Sequence, residues 1–347
     1  MKTNSVLNSR SSVLVTGGAG FIGSNFIRYY LAKYPDRKII NLDALTYAGN
    51  PANLQELAEN PNYVFVEGDI RDRELVNRIM DDVDTVVHFA AESHVDRSIL
   101  QPAIFLETNV LGTQVLLDAA LTHKIRRFHH ISTDEVFGSL ELGSEEKFTE
   151  HTKYDPRSPY SASKAGSDHL VRSYGETYGL PFTISNCSNN YGEYHHPEKL
   201  FPLVITNLLE GKQVPIYGDG KNVRDWLYVQ DHCAAIDAIL EKGNSGETYL
   251  IGGLSKDVSN LEVVKQIIQL MGESEDKIKF VTDRKGHDRR YAVDWSKINK
   301  ELGWKPSVTL SEGLKKTITW YQNHRAWWEP LKESSRGFFE KNYQDHD

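Results

Sequence analysis

The sequence predicts an α/β fold in which a doubly wound parallel sheet is followed by a smaller C-terminal α/β domain. Short apolar runs alternate with helical patterns through the first half of the chain, and a glycine-rich turn directly follows the first of these runs. After residue 190 the pattern changes to a stretch rich in Gly, Pro, His and Lys, which is typical of loops over a pocket. With 347 residues, the chain is long enough for about two domains.

Six short runs rich in β-branched residues are the predicted strands of the sheet. They cover residues 13–15, 38–42, 63–66, 85–89, 128–131 and 182–184. Apolar residues recur at spacings of three and four between them, as in 21–32 and 110–121, which predicts helices. Because the runs are apolar throughout, we expect strands that are buried on both faces and joined by right-handed crossovers. Residues 11–190 are therefore predicted to form the first domain.

The second half of the chain has helical patterns at about 231–242, 259–271 and 310–323. We predict that residues 191–335 form the smaller domain, which mainly binds substrate. Within it, the segment 226–250 is the candidate to rejoin the sheet of the first domain.

Composition and charge restrict the classes of partner. The chain carries 40 Lys and Arg against 48 Asp and Glu, a net charge of −8, which argues against a nucleic-acid or anionic-membrane surface over the whole protein. No apolar run reaches the roughly 18 to 20 residues that span a bilayer, and residues 1–10 do not resemble a secretory signal. The two cysteines, Cys187 and Cys233, form neither a CxxC pair nor a disulfide framework. We therefore expect a cytoplasmic protein without a nucleic-acid or membrane partner.

The glycine-rich turn contains Gly17, Gly20 and Gly23 and follows the predicted strand 13–15 without a gap. This spacing permits a tight turn, close approach of a pyrophosphate and close packing of the next helix on the sheet. The helix that begins near Phe21 directs its free amides and its positive end at that phosphate. The turn indicates a Rossmann-type dinucleotide site, with a plain strand-to-helix turn as the alternative.

Asp43 ends the second predicted strand, about twenty residues after Gly23. A carboxylate there accepts both ribose hydroxyls and repels a 2′-phosphate, which favours NAD over NADP. The alternative is that Asp43 only forms a turn. Since ligands lie at the carboxyl ends of parallel strands, Asp69 and Ile70 are expected at the adenine and residues 90–93 at the middle of the dinucleotide.

Tyr160 and Lys164 lie at positions i and i+4 of a predicted helix and therefore share one face. A phenol with a pKa near 10 is a weak base, but a nearby ammonium and an oxidised nicotinamide favour the phenolate. Tyr160 can then accept the proton of a sugar hydroxyl while hydride passes to NAD. A Tyr-x-x-x-Lys pattern alone is common by chance. Its position after a predicted dinucleotide-binding half favours a catalytic role.

Asp134 and Glu135 follow the fifth predicted strand and reach the same edge of the sheet. Hydride transfer alone does not need two carboxylates, and their desolvation is costly. An elimination needs one protonated acid and one ionised base, and two close carboxyls push their pKa values apart in that way. The alternative is that both residues cap the next segment or face solvent.

Two histidine pairs, 129–130 and 195–196, raise the question of a metal site. The first pair lies on a predicted strand, where neighbouring side chains point to opposite faces. We therefore expect no metal.

The Gly-x-x-Gly-x-x-Gly spacing resembles the extended short-chain dehydrogenase/reductase family. From about residue 11 to about residue 325 the chain is similar to one group within it, the dTDP-glucose 4,6-dehydratases. The motifs that carry the resemblance lie at 16–23, 90–98, 132–138, 160–164, 189–192, 217–226 and 283–291.

The resemblance implies an internal redox cycle on a nucleotide sugar. Tyr160, oriented by Lys164 and Thr133, removes the proton of the carbon-4 hydroxyl while carbon 4 is oxidised. Glu135 then removes the carbon-5 proton, and Asp134 protonates the departing carbon-6 hydroxyl. Hydride returns to carbon 6, so the 4-keto-6-deoxy product forms without net use of NAD. Such products serve the synthesis of dTDP-L-rhamnose or related deoxysugars.

The resemblance also implies binding residues and a homodimer. Cofactor contacts are expected at Gly17, Gly20, Phe21, Ile22, Gly23, Asp43, Leu45, Thr46, Asp69, Ile70, Ala90, Ala91, Glu92, Thr108, Tyr160, Lys164 and Asn190. Substrate contacts are expected at Ser93, Thr133, Asn189, Lys199, Leu200, Pro215, Ile216, Tyr217, Arg224, Asn260, Arg284 and His287. Arg224 and Arg284 are predicted to hold the pyrophosphate, since guanidinium groups match phosphate oxygens. Helices near 103–121 and 159–178 resemble the family's dimer interface, although their apolar positions can equally be core.

Two other functions remain open. A UDP-sugar 4-epimerase shares NAD, Tyr160 and Lys164 but needs no further acid and base, so Asp134 and Glu135 argue against it. A non-catalytic NAD-binding regulator commonly loses the tyrosine or the lysine, and both are present here.

Overall fold

The fold is described from a computed structural model that covers residues 12–254, 256–283 and 286–343, with side chains up to residue 334. Its strands are β1 (Ser12–Thr16), β2 (Lys38–Asp43), β3 (Tyr63–Glu67), β4 (Val83–His88), β5 (Arg127–Thr133), β6 (Phe182–Cys187), β7 (Asn189–Tyr191), β8 (Val214–Tyr217), β9 (Trp226–Tyr228), β10 (Thr248–Ile251) and β11 (Ile278–Val281). Seven of them form a parallel sheet in the order β10-β6-β5-β4-β1-β2-β3. The predicted fold class is confirmed, and all six predicted strands belong to this sheet.

The helices are α1 (Phe21–Lys33), α2 (Arg73–Met80), α3 (Val95–Leu100), α4 (Pro102–Leu106), α5 (Thr113–Thr122), α6 (Pro159–Tyr178), α7 (Leu200–Leu209), α8 (Val229–Lys242), α9 (Asn260–Met271), α10 (Ser296–Leu302), α11 (Leu310–Asn323) and α12 (Arg325–Tyr343). Short 3-10 helices lie at Pro51–Leu57, Asp134–Phe137 and Glu275–Lys277. A π-helical segment, Glu107–Gly112, joins α4 to α5. Capping boxes begin the helices α6, α9 and α11 because a Ser or Thr precedes each helix and a Ser or Glu stands three residues later.

Helices cover both faces of the large sheet at its central strands, as predicted, but the edge strand β3 is partly open to solvent, with Val64 and Phe65 37% and 38% exposed. Leu14 of β1 packs with residues of α2, α5 and α6 on one face. Its neighbours Val13 and Val15 pack with residues of α1 and α8 on the other. Strand order reverses between β1 and β4, so the loops that follow them diverge at the carboxyl edge of the sheet and open a crevice there.

The second half of the chain builds a separate apolar core around α7, α9 and α11. In this part, β8 pairs with β11 and β7 pairs with β9. The strand β10 pairs with β6 and extends the large sheet. The helix α12 carries the fully buried Trp328 and places the indole nitrogen of Trp327 2.8 Å from the side-chain oxygen of Asn53, so the two halves are in contact. The predicted division into domains at residue 190 stays a prediction.

The helix Pro102–Thr122 agrees with the prediction that no unbroken apolar run reaches bilayer length, because Glu107, Asn109 and Asp118 interrupt it, but a test based on length and mean hydropathy still singles it out. Its mean hydropathy is 1.2, so it passes that test by length and composition. Half of it is buried inside the protein, where Phe105, Leu116 and Leu117 are inaccessible to solvent. A core helix satisfies the same criterion, because packing on a sheet also selects apolar residues.

Candidate active site

A cavity of about 530 Å³ opens at the carboxyl edge of the large sheet and is walled on its far side by loops of the second half. Its size is typical of sites for small molecules and cofactors. The predicted residues that line it are Gly17, Gly20, Phe21, Ile22, Gly23, Asp43, Thr46, Asp69, Ile70, Ala90, Ala91, Glu92, Ser93, Thr108, Thr133, Glu135, Tyr160, Lys164, Asn189, Asn190, Lys199, Leu200, Pro215, Ile216, Tyr217, Arg224, Asn260 and His287. The structure therefore gathers most of the predicted set around one space.

Two predicted residues in the part of the chain that the structure describes, Leu45 and Asp134, do not line this cavity. Leu45 has a positive φ of 50° and donates its backbone N–H to Asp43 Oδ1 at 2.9 Å. Asp134 is buried within the protein. Arg284 lies outside the described residues, so its predicted role in holding a pyrophosphate stays a prediction.

The glycine turn is shaped by steric demands on the backbone. Gly17 has a φ of +72°, and a Cβ at this position would lie 2.7 Å from the backbone nitrogen of Ala90. A Cβ at Gly23 would lie 2.4 Å from the carbonyl oxygen of Gly17, so the helix α1 can approach the turn only with glycine there. Gly20, by contrast, has space on the cavity side, since its only close neighbour is that same carbonyl at 3.2 Å. The first amides of α1 thus end at an open space that a phosphate can fill.

Asp43 stands at the tip of β2, beside this turn. Its carboxylate accepts the backbone N–H of Ala19 at 2.8 Å and that of Leu45 at 2.9 Å. Burial raises the pKa of Asp43, and the two backbone hydrogen bonds oppose that rise. One carboxylate can accept about four hydrogen bonds, so the two ribose hydroxyls still have acceptor positions. The turn-forming role and the ribose-binding role are therefore compatible.

The residues at this end fit a dinucleotide. The open helix N-terminus suits a pyrophosphate, the carboxylate of Asp43 suits a ribose diol, and Asp69 and Ile70 extend the same wall. Thr108 and Asn190 also line the cavity.

Tyr160 and Lys164 lie in the first two turns of α6. Lys164 is buried and donates from Nζ to the carbonyl oxygen of Ile131 at 2.7 Å. Burial raises the pKa of Tyr160 well above its usual value; Glu135, Cys187 and Asp134 raise it further, while the hydroxyl of Thr133 lowers it. The sequence prediction considered only cations near Tyr160, and these carboxylates act in the opposite direction.

Asp134 and Glu135 occupy two different environments. Asp134 is 1% exposed, and Thr133 Oγ1 lies 3.3 Å from its Oδ1, whereas Glu135 lines the cavity. Burial raises the pKa of Asp134 well above its usual value, and the charges of Glu135 and Asp225 add to the rise. The raised pKa favours the protonated form of Asp134, which stands beside the cavity-lining Glu135. The alternative that both residues face solvent is excluded.

On the opposite wall, Arg224 projects from the loop that precedes β9. Its guanidinium donates to the carbonyl oxygens of Val223 at 2.7 Å and Asp288 at 3.0 Å and stacks over the ring of Tyr291 at 4.3 Å. His287 lies 2.6 Å from Asp283 Oδ1 through its Nδ1. These contacts hold two basic side chains at the cavity, as recognition of a phosphate requires.

The structure also adds cavity residues that the sequence analysis missed. Glu198 has a fully buried side chain, with Arg97 Nη2 at 3.4 Å and His94 Nε2 at 3.6 Å. Arg97 in turn stacks over the ring of Tyr47 at 4.0 Å. This cluster joins α3, the loop after β2 and the segment before α7. Its members lie next to predicted residues in the chain, but no sequence period relates 47, 97 and 198.

The two histidine pairs lie in different environments. His129 Nδ1 is 2.9 Å from Thr183 Oγ1, while His130 Nε2 is 3.2 Å from Asp168 Oδ1 on the other face of the sheet. His195 stacks on Phe21 with ring centroids 4.2 Å apart. Burial lowers the pKa of these three rings. No group of three metal-ligating side chains occurs among the described residues.

Comparisons with known proteins extend over almost the whole chain. A family model described as GDP-mannose 4,6 dehydratase matches residues 14–317. A dTDP-glucose 4,6-dehydratase of Xanthomonas campestris pv. campestris (strain B100) is 52% identical over 342 residues, covering 93% of this chain and 96% of the relative. A dTDP-glucose 4,6-dehydratase of Escherichia coli is 50% identical over 358 residues, covering 96% of this chain and 99% of the relative.

Solved structures agree in fold. A dTDP-glucose 4,6-dehydratase from Streptomyces venezuelae, crystallised with NAD, has a TM-score of 0.89 at 51% identity and covers 92% of this chain and 99% of that chain. A UDP-glucose 4-epimerase from Thermotoga maritima has a TM-score of 0.83 at 30% identity, covering 90% and 99%. The dehydratases are thus the more similar group, and the resemblance inferred from the motifs is confirmed. The chain belongs to the dTDP-glucose 4,6-dehydratase family.

Proposed function

We propose that this protein converts dTDP-glucose to dTDP-4-keto-6-deoxyglucose and water, with NAD as a retained cofactor. The observation that carries the proposal is the pair at the end of β5: a buried Asp134 whose pKa is raised well above its usual value stands next to a cavity-lining Glu135, and both residues raise the pKa of Tyr160. An elimination needs such an acid and base, and an epimerisation does not. The similar dehydratases of known structure bind NAD.

Residues of α6 and β5 carry out the oxidation at carbon 4. Tyr160 takes the proton of the carbon-4 hydroxyl, and Thr133 hydrogen-bonds the same oxygen. Lys164, held by the Ile131 carbonyl, supplies the positive charge that favours the phenolate. NAD supplies the hydride acceptor for carbon 4 and the hydride donor for carbon 6.

Loss of water falls to the two acids. Once carbon 4 is a ketone, the carbon-5 proton becomes acidic, and Glu135 removes it. Asp134 gives its proton to the carbon-6 hydroxyl, which leaves as water. Its raised pKa favours the protonated form that this step needs, whereas an ordinary aspartate is ionised at neutral pH. Reprotonation of carbon 5 completes the product.

The nucleotide part of the substrate is assigned to the wall built by the second half. Arg224 and His287 bind the diphosphate, and Lys199 adds a third positive group at the cavity. Ser93, Asn189 and Asn260 offer hydrogen bonds, while Leu200, Pro215, Ile216 and Tyr217 provide apolar surface. The thymine base is proposed from the similar dehydratases, which are named for dTDP-glucose.

Turnover of sugar nucleotides tests the function directly. The purified protein is incubated with dTDP-glucose, UDP-glucose and GDP-mannose. A product with the alkaline absorbance of a 4-keto sugar, formed fastest from dTDP-glucose, is the expected result. Formation of UDP-galactose from UDP-glucose would indicate an epimerase instead. Binding of NAD without turnover of any of these substrates would indicate a regulator.

We also propose that the protein is a homodimer formed through the helices at 102–122 and 159–178. Leu106, Leu111 and Tyr178 on these helices are 54%, 57% and 62% exposed, which is unusual for large apolar side chains. The double change Leu106→Asp and Leu111→Asp is expected to give monomers in analytical ultracentrifugation. Leu142→Asp, at an exposed leucine outside these helices, is the control and keeps the dimer.

We propose a cytoplasmic location. Cys187 and Cys233 are both buried and unpaired, as in proteins of reducing compartments. Cell fractionation with antibodies against the protein tests this, and recovery in the membrane or secreted fraction would contradict it.

A further inference from the structure

The aspartate of α6, Asp168, is fully buried one helical turn after Lys164 and two turns after Tyr160. The three residues lie at i, i+4 and i+8, so they share one face of the helix. Asp168 does not line the cavity, and the proposed reaction gives it no step. A charged side chain without solvent is costly unless other groups compensate it.

The carboxylate of Asp168 is bound by groups from three other segments. Its Oδ2 accepts from Ser132 Oγ at 2.8 Å, from the Tyr154 hydroxyl at 2.8 Å and from Asn186 Nδ2 at 3.2 Å. His130 Nε2 lies 3.2 Å from its Oδ1. Burial raises the pKa of Asp168, but His130, Lys164 and Tyr154 lower it by more, so the group stays ionised.

The same hydrogen bonds fix the end of β5. Ser132 is the residue before Thr133, and Asn186 Nδ2 also donates to the backbone carbonyl of Thr133 at 3.1 Å. The Asp168 carboxylate thus holds the end of β5 in two ways. It binds the side chain of Ser132 directly, and it binds the backbone of Thr133 through Asn186. That strand end carries Thr133 and leads directly into Asp134 and Glu135.

The charge that balances Asp168 is identified by elimination. The titratable and charged groups around Asp168 and Lys164 are His88 on β4, His130 on β5, Cys187 on β6, and Tyr154, Tyr160 and Arg172 on α6 and the segment before it. Burial lowers the pKa of His130 to about 4 and that of His88 well below its usual value, and it raises the pKa of Cys187 to about 12. These side chains are therefore neutral near pH 7, as are the two tyrosines.

Two cations remain, Lys164 and Arg172. The guanidinium of Arg172 is partly exposed and donates to Thr248 Oγ1 at 2.8 Å. Lys164 is buried like Asp168; burial lowers its pKa, and Asp168 is the main group that opposes this. Lys164 is thus the cation that most needs a buried negative charge.

We propose that Asp168 is a positioning residue of this site: its carboxylate is the counter-charge that keeps Lys164 an ammonium, and it locks the strand end that presents Thr133. The inference rests on the proposed function only in that Lys164 and Thr133 take part in catalysis. The proposed pairing of the two charges does not involve substrate and can be tested without it.

Kinetics with dTDP-glucose tests the positioning role. Asp168→Asn keeps the shape and removes the charge, so kcat is expected to fall about tenfold while KM changes less than about twofold. The alkaline limb of the kcat profile moves to lower pH by about one unit, because Lys164 then loses its proton more easily. Asp168→Glu restores the position of the limb. Tyr154→Phe, which removes one hydrogen bond to the same oxygen but no charge, leaves the limb in place. An unchanged limb in Asp168→Asn would overturn the proposal.

Thermal unfolding supplies a test that needs neither activity nor a soluble Asp168→Asn protein. Lys164→Met leaves the carboxylate buried without its cation, so it is expected to be less stable than the double variant Lys164→Met/Asp168→Asn. A double variant that is equally or less stable, or that does not fold, would overturn the pairing. If the wild type does not turn over dTDP-glucose, the proposed function fails, and this comparison still decides the pairing.

Discussion

The two ends of the cavity are built on different principles. At the cofactor end, formed by the Gly17–Gly23 turn and Asp43, the backbone provides the shape and the hydrogen bonds, and Asp43 is itself held by two backbone amides. At the reactive end, formed by Thr133, Asp134, Glu135, Tyr160 and Lys164, ionisable side chains dominate, and Glu135 raises the pKa values of both Asp134 and Tyr160. The cofactor end is preorganised by sterics and the reactive end by electrostatics.

This difference predicts which measured quantity a substitution changes at each end of the cavity. A change at the reactive end alters the protonation of a neighbour and therefore the rate. A change at the cofactor end alters the fit of the backbone and therefore affinity or stability. Each of the following substitutions tests whether the two ends respond independently.

The largest effect is expected for Tyr160→Phe. Removing the base of the oxidation step should lower kcat by roughly 10²- to 10⁴-fold, with NAD still bound. Steady-state turnover of dTDP-glucose and the NAD content of the purified protein are the measurements. Tyr174→Phe is the matched control, since this tyrosine lies on the same helix and its hydroxyl donates to Asp118 Oδ1 at 2.6 Å. Loss of NAD from Tyr160→Phe would contradict the separation of the two ends.

Asp134→Asn is expected to slow turnover by about 10²-fold by a different route. Oxidation at carbon 4 remains, but the proton for the leaving hydroxyl is missing. Reduced nicotinamide should therefore accumulate after substrate is added, which its absorbance reports. Glu135→Gln serves as the comparison, because it removes the base of the same step. If Asp134→Asn released keto product at the wild-type rate, its assignment as the acid would be wrong.

The cofactor end was predicted more completely from sequence than the reactive end. A glycine spacing and an acidic residue at the end of a strand are short-range signals, and strand order at the crevice follows from handedness rules. At the reactive end, the sequence pointed to residues that the structure brings close together, but not to the direction in which the pKa of Tyr160 shifts, because Glu135 and Asp134 approach Tyr160 only through tertiary packing.

The residues that escaped prediction are those joined by long-range contacts. Glu198 meets Arg97 and His94 about a hundred positions away in the chain, and Asp168 meets Ser132, Tyr154 and Asn186. Buried polar residues of this kind give no periodic signal, because their partners lie on other elements. The apolar helix at 102–122 shows the converse: its composition alone does not distinguish a core helix from a membrane span.

Gly17→Ala tests whether the cofactor end depends on backbone shape. The new Cβ would lie 2.7 Å from the nitrogen of Ala90, and a positive φ costs a non-glycine residue about 1 to 2 kcal/mol. Gly143→Ala is the matched control, because Gly143 has a similar φ of +78° and nothing within 4 Å of its Cβ position. We expect the free energy of unfolding to fall more in Gly17→Ala than in Gly143→Ala, and NAD to be lost only from the former. Equal losses of stability would mean that the contact with Ala90 does not matter.

The smallest effect is expected for Asp43→Asn. The amide keeps an acceptor for one of the two backbone N–H groups at Ala19 and Leu45 but loses the charge that repels a 2′-phosphate. Affinity for NAD should fall about tenfold, and affinity for NADP should fall less or rise. Calorimetric titration of NAD and of NADP into the cofactor-free variant gives the ratio of the two affinities. Any general loss of affinity cancels in this ratio. Because Asp43 touches no group of the reactive end, the kcat at saturating NAD should stay near that of the wild type. A large fall in kcat at saturation would mean that the two ends of the cavity are coupled.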